Sequence, residues 1–383
     1  MSGKILILHA SLNVLGGGEL LVLRLSQALI EQGFDVEIWT QTPVEDEKIK
    51  DLYGNVIPTR LSVRKNRLAQ LIEKMSRGRF ERLRRLLFYL KEIDEAMSEA
   101  DLVIDTQSNV PSGADVSYIN YPAVLPPRDK AGLQWDAYNG LVNLVAKRLS
   151  KHTGRVIANS TWTACMVYKA YNVVPDIIYP PVDVEYFREV SGNAEREKLV
   201  VTVSRIVYEK NLDKILVEVA KQLPDYEFVI AGTTTEGSAS VFEKLKALRD
   251  ELKLTNVEFK PDIPRYELRE LLGRAMFYLH PPFPEHFGIS VVEAMSAGAI
   301  PIVYKDGGAW YDVVSKVSSM LGYSSISEVP SIIKSIEDDK ELYSKLKEKG
   351  IENSIIFSYD NFRKSIVDKV NYILRVKKLA QEL

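Results

Sequence analysis

Two glutamates eight positions apart carry the most distinctive chemistry in this sequence. Glu285 and Glu293 flank a turn that follows the apolar run 276–279 and leads into apolar residues at helical spacing. We predict a helix that begins near Phe287, with Glu285 in the loop before it and Glu293 about a turn and a half inside it. Free N–H groups at a helix N-terminus bind phosphate, and a carboxylate on each side can accept hydrogen bonds from sugar hydroxyls. Alone, the pair also fits a surface glutamate and a charge that favours the helix dipole.

Two cations follow a second predicted strand. Arg205 and Lys210 come directly after the apolar run 199–203 and precede a predicted helix over 212–223. They therefore leave the carboxyl end of a strand, which is where open α/β sheets bind ligands. A guanidinium can grip two oxygens of a diphosphate, and an ammonium can neutralise the charge that develops on such a leaving group.

A glycine-rich loop follows the first strand. The strand 4–8 is predicted to lead into the loop 13–19, which contains Gly16, Gly17 and Gly18, and then into a helix over 20–32. Such glycines allow the backbone to approach a phosphate, although a tight turn needs glycine as well. A dinucleotide-binding pattern is excluded, because Leu21 stands where its third glycine would be.

A longer pattern joins the two glutamates to their surroundings. Glu-His-Phe-Gly-Ile-x-x-x-Glu-Ala-Met-x-Ala-Gly begins at Glu285, and a short apolar strand and Asp306-Gly307-Gly308 follow it. This pattern resembles the Glu-x7-Glu motif of the retaining family 4 glycosyltransferases. The resemblance implies an α/β protein of the GT-B fold, with two Rossmann-like domains that face each other across a cleft. It also implies a donor that is a nucleoside-diphosphate sugar.

The resemblance assigns roles on the donor side. Glu285 would bind the hydroxyls of the transferred sugar, Glu293 would bind the ribose, and Arg205 and Lys210 would hold the diphosphate. Glu285, Arg205 and Lys210 are the catalytic candidates. Besides Glu293, the donor-binding candidates are Gly17, Gly18, Gly232, Thr233, Ile263, Phe287, Gly288, Ile289, Gly307 and Gly308.

The acceptor side is predicted on the first half of the chain. Tyr118-Ile-Asn-Tyr-Pro122 is similar to the Tyr-x-His-Tyr-Pro stretch of the mannosyltransferases that extend dolichol-linked oligosaccharides, with Asn120 in place of the histidine. By this resemblance Glu19, Tyr118 and Asn120 are acceptor-side candidates, and no acid–base role falls to position 120. The similarity favours GDP-mannose as the donor, and a UDP-sugar remains an open alternative. It also favours a glycan or a lipid-linked sugar as the acceptor. No cofactor and no metal are expected.

Three other functions fit parts of the pattern. One is a glycosyltransferase of the same fold that acts on a small soluble acceptor. It would differ from an enzyme with a lipid-linked acceptor mainly in the function of residues 64–91. A sugar-nucleotide epimerase shares the architecture but does not need the two glutamates. A protein that binds a nucleotide sugar without transfer would follow if Asn120 marks a lost acceptor side.

Length and patterning predict two domains. The chain has 383 residues, of which 46% are hydrophobic and 27% charged, and strands alternate with helices. We predict a first domain over 1–182, a linker over 183–198, and a nucleotide-sugar-binding domain over 183–361. The terminal helix, about 362–383, is expected to cross back onto the first domain.

A basic stretch suggests a membrane surface. Residues 64–91 hold ten basic and two acidic residues, a local charge of +8, with leucines at helical spacing. Such a segment can lie on an anionic membrane, or it can be a solvated helical hairpin packed on the domain. The net charge of −2 argues against a nucleic-acid binder, and no apolar run approaches the roughly 20 residues that span a bilayer. A lone Cys165 and the lack of a secretory pattern predict a cytoplasmic protein, peripheral on the membrane at most.

Overall fold

The chain forms two compact units in the computed structural model, which describes residues 3–12, 16–42, 60–64, 80–125, 133–151, 153–192, 196–234 and 238–383. The first unit comprises Met1–Pro181 and Asp360–Leu383, and the second comprises Val182–Tyr359. Each unit is built on one sheet, and each is described by itself.

The strands and helices alternate along the chain. The strands are β1 Lys4–Leu8, β2 Asp35–Thr40, β3 Arg60–Val63, β4 Leu102–Asp105, β5 Val116–Ile119, β6 Arg155–Ala158, β7 Asp176–Ile177, β8 Glu197–Val203, β9 Glu227–Gly232, β10 Val257–Pro261, β11 Ala275–Leu279, β12 Ile300–Tyr304 and β13 Gly322–Tyr323. The α-helices are α1 Gly17–Glu31, α2 Glu81–Glu99, α3 Leu133–Leu149, α4 Thr161–Tyr171, α5 Val184–Arg188, α6 Leu212–Glu218, α7 Ala239–Glu251, α8 Arg265–Arg274, α9 Ile289–Ser296, α10 Val329–Glu337, α11 Lys340–Ser354 and α12 Tyr359–Glu382.

Both sheets are parallel wherever the structure describes their pairing. The first has the order β3-β2-β1-β4-β5-β6-β7, and the second has the order β10-β9-β8-β11-β12-β13. The central strands are apolar on both faces, as helices on both sides of a parallel sheet require, and Ile5 to Leu8 of β1 are fully buried. In each sheet the strand order reverses once, between β1 and β4 and between β8 and β11, and such a switch point opens a crevice at the carboxyl edge.

The terminal helix α12 packs on the first unit. Lys377 forms an ion pair with Asp115 at 2.9 Å, and Lys369 forms one with Asp176 at 2.7 Å. Arg363 lies 3.8 Å from Glu31 at the end of α1. The predicted α/β class, with two Rossmann-like sheets and a terminal helix on the first of them, is confirmed.

Two predicted loops are structured. Gly17, Gly18 and Glu19 form the first turn of α1 rather than a loop, because Glu19 Oε2 accepts a hydrogen bond from Gly16 N at 3.1 Å and so caps the helix N-terminus. The predicted linker 183–198 contains the short helix α5, whose Val184 and Phe187 are buried in the second unit.

The described part of the basic stretch belongs to the first unit. In α2, the leucines at positions 83 and 86 and the rings of Phe88 and Tyr89 are buried in the core, so the apolar face of this helix is not available to a lipid surface. Its cation Arg82 donates hydrogen bonds to Ala123 O and Leu125 O. Residues 65–79 lie outside the described residues, so the membrane prediction for them stays a prediction. Among the described helices, none has the length and apolarity that a bilayer crossing requires.

Candidate functional site

The candidate catalytic residues of the second unit meet at its switch point. Strands β8 and β11 are neighbours in the sheet, with Phe277 opposite Val200 and Tyr278 opposite Val201. Lys210 follows β8 and Glu285 follows β11, so parallel strands bring both side chains to the same edge. Lys210 Nζ donates to Glu285 Oε2 at 2.6 Å. The sequence placed both residues at strand ends but did not predict this ion pair.

Glu285 lies beside the Lys210 ammonium and two further neighbours that can donate hydrogen bonds to it. Its Oε1 accepts from the His286 backbone N–H at 3.1 Å, and His280 Nε2 lies 3.4 Å from Oε2. Burial raises the pKa of Glu285, but the charge of Lys210 and the hydrogen bond with His280 outweigh it, and the pKa lies well below its ordinary value. Glu285 is therefore an acceptor of hydrogen bonds rather than a proton donor, which suits the binding of hydroxyls.

Lys210 is held rigidly. It is buried, and its ammonium lies 4.5 Å from the centre of the Phe283 ring, a cation–π distance. Its loop turns through Asn211, which has a left-handed φ of 49°. Asparagine tolerates this conformation better than most residues, so Asn211 ends the turn that aims Lys210.

Gly307 packs directly against the backbone of Glu285. The two residues form an isolated parallel bridge, and Gly307 has a φ of +96°. A Cβ at Gly307 would lie 2.2 Å from Glu285 O and 2.6 Å from Glu285 N, so only glycine fits there. Gly307 thus positions Glu285, a function that the sequence did not indicate. Its neighbour Gly308 has an ordinary φ of −62°.

Helix α9 begins two residues after its predicted start. Gly288, at φ +95°, precedes it, and Val291 and Val292 both donate to Gly288 O. The N–H groups of Ile289 and Ser290, in the first turn, are therefore not used in these bonds. Phe287 is buried with its ring against Phe357 at 5.3 Å, so its side chain supports the loop and does not line a binding surface.

Glu293 lies in a buried ion triad. Arg265, the first residue of α8, donates from Nη1 to Glu293 Oε1 at 3.1 Å and from Nη2 to Asp183 Oδ2 at 2.7 Å. The guanidinium also lies 4.9 Å from the Phe187 ring centre. Burial, aided by the charge of Asp183, raises the pKa of Glu293 despite the opposing effect of Arg265. The second carboxylate oxygen of Glu293 is not engaged by Arg265.

The remaining donor-side candidates surround the same edge of the sheet. The side chain of Arg205 is exposed and makes no hydrogen bond or ion pair within the described residues. A Cβ at Gly232 would lie 1.7 Å from Ser204 O, so β9 approaches the β8 exit closely. Thr234 N–H donates to Asp262 Oδ1 at 2.9 Å, which joins the loop after Thr233 to the loop that carries the half-buried Ile263. Residues 235–237 lie outside the described part of the chain.

The first unit has its own candidate cluster at the β1–β4 switch point. Glu19 Oε1 lies 3.7 Å from Nε2 of the buried His9, whose Nδ1 is 2.9 Å from Thr106 Oγ1. His9 Nε2 has no hydrogen-bond partner within the described residues. A Cβ at Gly18 would meet nothing within 4 Å, so packing does not require glycine at this position. Gly17 lies beside it in the same turn.

Tyr118 is not an exposed acceptor contact. Its side chain is fully buried, and its hydroxyl donates to Ile178 O at 2.7 Å, so it ties β5 to the segment after β7. The acceptor-side role of Tyr118 stays a prediction, and its buried side chain leaves only its backbone for such a contact. Asn120 is half-buried at the end of β5, and its Oδ1 accepts from Asn159 Nδ2 at 3.3 Å. Its side chain is therefore oriented by a neighbour at the carboxyl edge of the sheet.

Sequence reasoning missed His280, Arg265 and Asp183. His280 is buried, and burial lowers its pKa, with the hydrogen bond to Glu285 opposing this effect. A histidine directly after a buried strand was the available signal for it. Arg265 and Asp183 had no comparable signal, because 82 residues separate them in the chain. Among the described residues, no group of three or more His, Cys, Asp or Glu side chains could hold a metal ion.

Solved structures share this architecture. The Anabaena protein HepE in complex with UDP and glucose superposes with a TM-score of 0.71 at 17% identity, covering 96% of this chain and 99% of that one. At this identity the likeness shows the fold alone. The two parallel Rossmann-like sheets and this likeness define the GT-B fold of glycosyltransferases.

Family models and curated relatives agree with the fold. Residues 183–353 match the family described as glycosyl transferases group 1, and residues 15–186 match glycosyltransferase family 4. The chain belongs to the family 4 glycosyltransferases, and the resemblance seen in the sequence is confirmed. It is 27% identical over 244 residues to a GDP-Man:Man(3)GlcNAc(2)-PP-Dol alpha-1,2-mannosyltransferase of Dictyostelium discoideum, covering 59% of this chain and 48% of the relative. The human protein of the same description is 33% identical over 174 residues, covering 42% of this chain and 35% of the relative. The chain thus spans about half the length of these curated relatives, or less.

Proposed function

We propose that the protein transfers a hexose from a nucleoside-diphosphate sugar to a hydroxyl group, with retention of the anomeric configuration. The observation that carries the proposal is the ion pair of Lys210 and Glu285 at the β8–β11 switch point, next to the N-terminus of α9. The cation and the helix N–H groups of Ile289 and Ser290 suit the diphosphate leaving group of such a donor, and the carboxylate suits its sugar hydroxyls.

The diphosphate would be bound by cations and helix amides. Lys210 would release Glu285 and pair with a phosphate oxygen, because the more highly charged diphosphate competes for the same ammonium. Arg205, exposed and without an ion pair in the described residues, would grip a second pair of oxygens. The N–H groups of Ile289 and Ser290 would point at the phosphates, where the helix dipole favours negative charge.

The sugar and ribose would be bound by the two glutamates. Glu285, freed from Lys210, would accept hydrogen bonds from the hydroxyls of the transferred sugar. Glu293 would accept from the ribose through the oxygen that Arg265 does not engage. Gly308 and the loops at Gly232, Thr233 and Ile263 would offer backbone contacts to the phosphate and the base.

Retention would follow from departure and attack on the same face of the sugar. No second carboxylate beside Glu285 is assigned to form a covalent intermediate, so the leaving phosphate would accept the proton of the attacking hydroxyl. The cations at Lys210 and Arg205 would stabilise the charge that develops on the diphosphate.

The donor favoured is GDP-mannose, and the acceptor favoured is a glycan or a lipid-linked sugar. The support is the similarity to relatives whose names specify GDP-mannose and a dolichol-linked oligosaccharide. On the first unit, Glu19 and Asn120 would meet the acceptor, and the turn at Gly17 and Gly18 would offer backbone N–H groups to a phosphate. The open space at Gly18 supports this assignment.

A thermal-shift panel tests the proposal. GDP-, UDP- and ADP-sugars are added without metal to the wild type and to Glu293→Gln. A ligand that binds only the folded state stabilises it by about 2.7 kcal/mol at a hundredfold excess over its Kd. We expect GDP-mannose to raise the Tm of the wild type and to raise that of the variant much less. If no nucleotide sugar raises the Tm, the donor site is not where we place it. Anomeric analysis of the product by NMR then tests retention.

A further inference from the structure

His280 and Lys210 lie beside the same oxygen atom of Glu285. Lys210 Nζ is 2.6 Å from Glu285 Oε2, and His280 Nε2 is 3.4 Å from that oxygen. The first distance is that of a strong, charge-assisted hydrogen bond, whereas the second exceeds the roughly 2.7–2.9 Å of such a bond. The ammonium therefore compensates the charge of the carboxylate in this structure, and the imidazole lies next to it without a short bond.

Both ring nitrogens of His280 face groups that accept hydrogen bonds and cannot donate them. Nδ1 is 3.0 Å from the backbone oxygen of Pro281, and Nε2 faces the carboxylate of Glu285. A neutral imidazole carries a proton on one nitrogen only. The shorter contact places this proton on Nδ1, so the neutral ring presents a bare Nε2 to Glu285. One further proton, on Nε2, would give the imidazolium a donor for each of its two neighbours.

The sheet holds His280 in this position. The side chain is buried, and the backbone N–H donates to Ile302 O at 2.9 Å. The backbone oxygen of His280 accepts from the Tyr323 hydroxyl at 2.7 Å. Because these bonds tie the residue to β12 and β13 and the ring is enclosed, Nε2 remains directed at Glu285.

Lys210 and Glu285 have opposite effects on the charge of the imidazole. Burial lowers the pKa of His280, the hydrogen bond with Glu285 raises it, and the charge of Lys210 lowers it. The other titratable side chains beside this group are Tyr278, Tyr323 and His286. Burial raises the pKa of both tyrosines, so they stay neutral near pH 7. Withdrawal of the ammonium is therefore the change that would let His280 gain a proton.

We propose that His280 takes up a proton from solvent when the donor diphosphate draws Lys210 away, and that it then replaces Lys210 as the cation beside Glu285. The inference rests on the proposed function, in which the diphosphate competes for Lys210. The new Nε2–H donates to Oε2 and keeps the carboxylate ionised and oriented while it accepts hydrogen bonds from sugar hydroxyls. His280 is thus a positioning residue, because it acts on the sugar through Glu285.

Proton uptake makes donor binding depend on pH. The pKa of His280 is higher in the donor complex than in the free protein, so donor affinity rises as the pH falls through the interval between these two values. Within this interval Kd changes by up to about tenfold per pH unit, and outside it Kd is constant. The interval begins below the ordinary histidine pKa of roughly 6.5, because burial lowers the pKa of His280 in the free protein.

Titration calorimetry with the full chain counts the protons. GDP-mannose is the probe, because its two phosphates are diesters and do not titrate near neutral pH. The binding enthalpy is measured in buffers of different ionisation enthalpy, and the slope gives the number of protons taken up. We expect uptake of between zero and one proton for the wild type. We expect none for His280→Gln, whose amide can donate to Glu285 but cannot ionise, and a pH-independent Kd for this variant.

The matched control is His286→Gln, which removes the neighbouring histidine. Its proton uptake should remain that of the wild type. The Tm and the far-UV circular dichroism of both variants show whether they are folded.

A second measurement needs no donor. Lys210→Met removes the ammonium and leaves an unbranched side chain, so the pKa of His280 in this variant should already exceed that in the free wild type. NMR of the histidine ring carbons measures the pKa, and single substitutions assign the signals of the four histidines. If the pKa of His280 is unchanged in Lys210→Met, the imidazole does not respond to the ammonium and the proposal is overturned.

The calorimetry can overturn the proposal independently. It does so if the wild type binds GDP-mannose without proton uptake, if the uptake persists in His280→Gln, or if His286→Gln loses it instead. A protein that binds no nucleotide sugar would contradict the proposed function, and the NMR comparison of the two ligand-free proteins would then decide alone whether His280 can replace Lys210.

Discussion

Lys210 and Glu285 are joined by a 2.6 Å ion pair, although 75 residues separate them in the chain. In our proposal Lys210 would bind a phosphate and Glu285 would bind sugar hydroxyls. In the absence of donor, each of the two side chains therefore takes the place of the ligand group that the other would bind. The pair keeps a buried ammonium compensated in the absence of ligand, and a buried charge without a partner is costly. Donor binding would then be an exchange of partners rather than the filling of a preformed anion site.

Removing the ammonium should affect turnover more than folding. Lys210→Ala takes away the charge that would stabilise the leaving diphosphate, and we expect kcat to fall 100- to 1000-fold, about 2.7–4 kcal/mol. It also leaves Glu285 without its cation, at a stability cost of about 1–3 kcal/mol. Steady-state kinetics and urea unfolding measure the two effects. Lys221→Ala, an exposed lysine in the same unit, should change neither, and an unchanged kcat for Lys210→Ala would remove the diphosphate assignment.

The same pair predicts how stability depends on pH. The pKa of Glu285 is depressed in the folded state, so its ion pair stabilises the protein above the unfolded pKa of roughly 4.3, and this stabilisation is lost as the pH falls through the folded pKa. The unfolding free energy of wild type minus that of Glu285→Gln should be constant above about pH 5 and should shrink at lower pH. The pKa of Glu293 is raised, so its contribution to stability depends on pH in the opposite direction. Because Glu293 is present in both proteins, its contribution cancels in the difference between their unfolding free energies. If this difference in unfolding free energy grows as the pH falls, the pKa of Glu285 is not depressed in the folded state.

Arg265 should be a costly cation to remove from the second unit. Arg265→Met leaves Glu293 and Asp183 buried without their shared partner, and we expect a loss of about 3–5 kcal/mol in urea unfolding. Arg269, one turn along α8, pairs with the exposed Glu189, and its replacement by Met should cost about 1 kcal/mol or less. Adding Glu293→Gln and Asp183→Asn to Arg265→Met should recover part of the loss. Equal effects at positions 265 and 269 would show that the triad is not a buried network.

Gly307 should tolerate no side chain. In Gly307→Ala the new methyl group meets the backbone of Glu285 and the backbone is left at a φ that alanine disfavours, so we expect a loss of about 2–4 kcal/mol and weaker donor binding. A Cβ at Gly192, in the same unit, would meet nothing within 4 Å, and Gly192→Ala should remain within about 0.5 kcal/mol of the wild type. Urea unfolding and the donor-induced Tm shift measure the two consequences. A Gly307→Ala protein with wild-type stability would show that Glu285 does not depend on this contact.

Local patterns predicted the elements well where they are long and periodic. The strand that precedes Glu285 and the buried strand β1 both follow from local residue types. Local caps decided where two helices begin: α1 begins at Gly17 because Glu19 caps it, and α9 begins at Ile289 because Gly288 is left-handed. Tertiary packing decided the described end of the basic stretch 64–91, since the core takes up the apolar face of residues 81–91, while the membrane prediction for residues 65–79 stays a prediction.

The sequence by itself determined four charged groups of the candidate site. The eight-residue spacing of Glu285 and Glu293, the strand-end positions of Arg205 and Lys210, and the alternation of strands and helices are local properties that periodicity and turn residues encode. Only the tertiary structure decided which groups meet. The order of strands in the parallel sheet brings Lys210 to Glu285, and the packing of α8 brings Arg265 to Glu293. Such pairings depend on crossovers between distant segments, and no local pattern records which strand ends become neighbours.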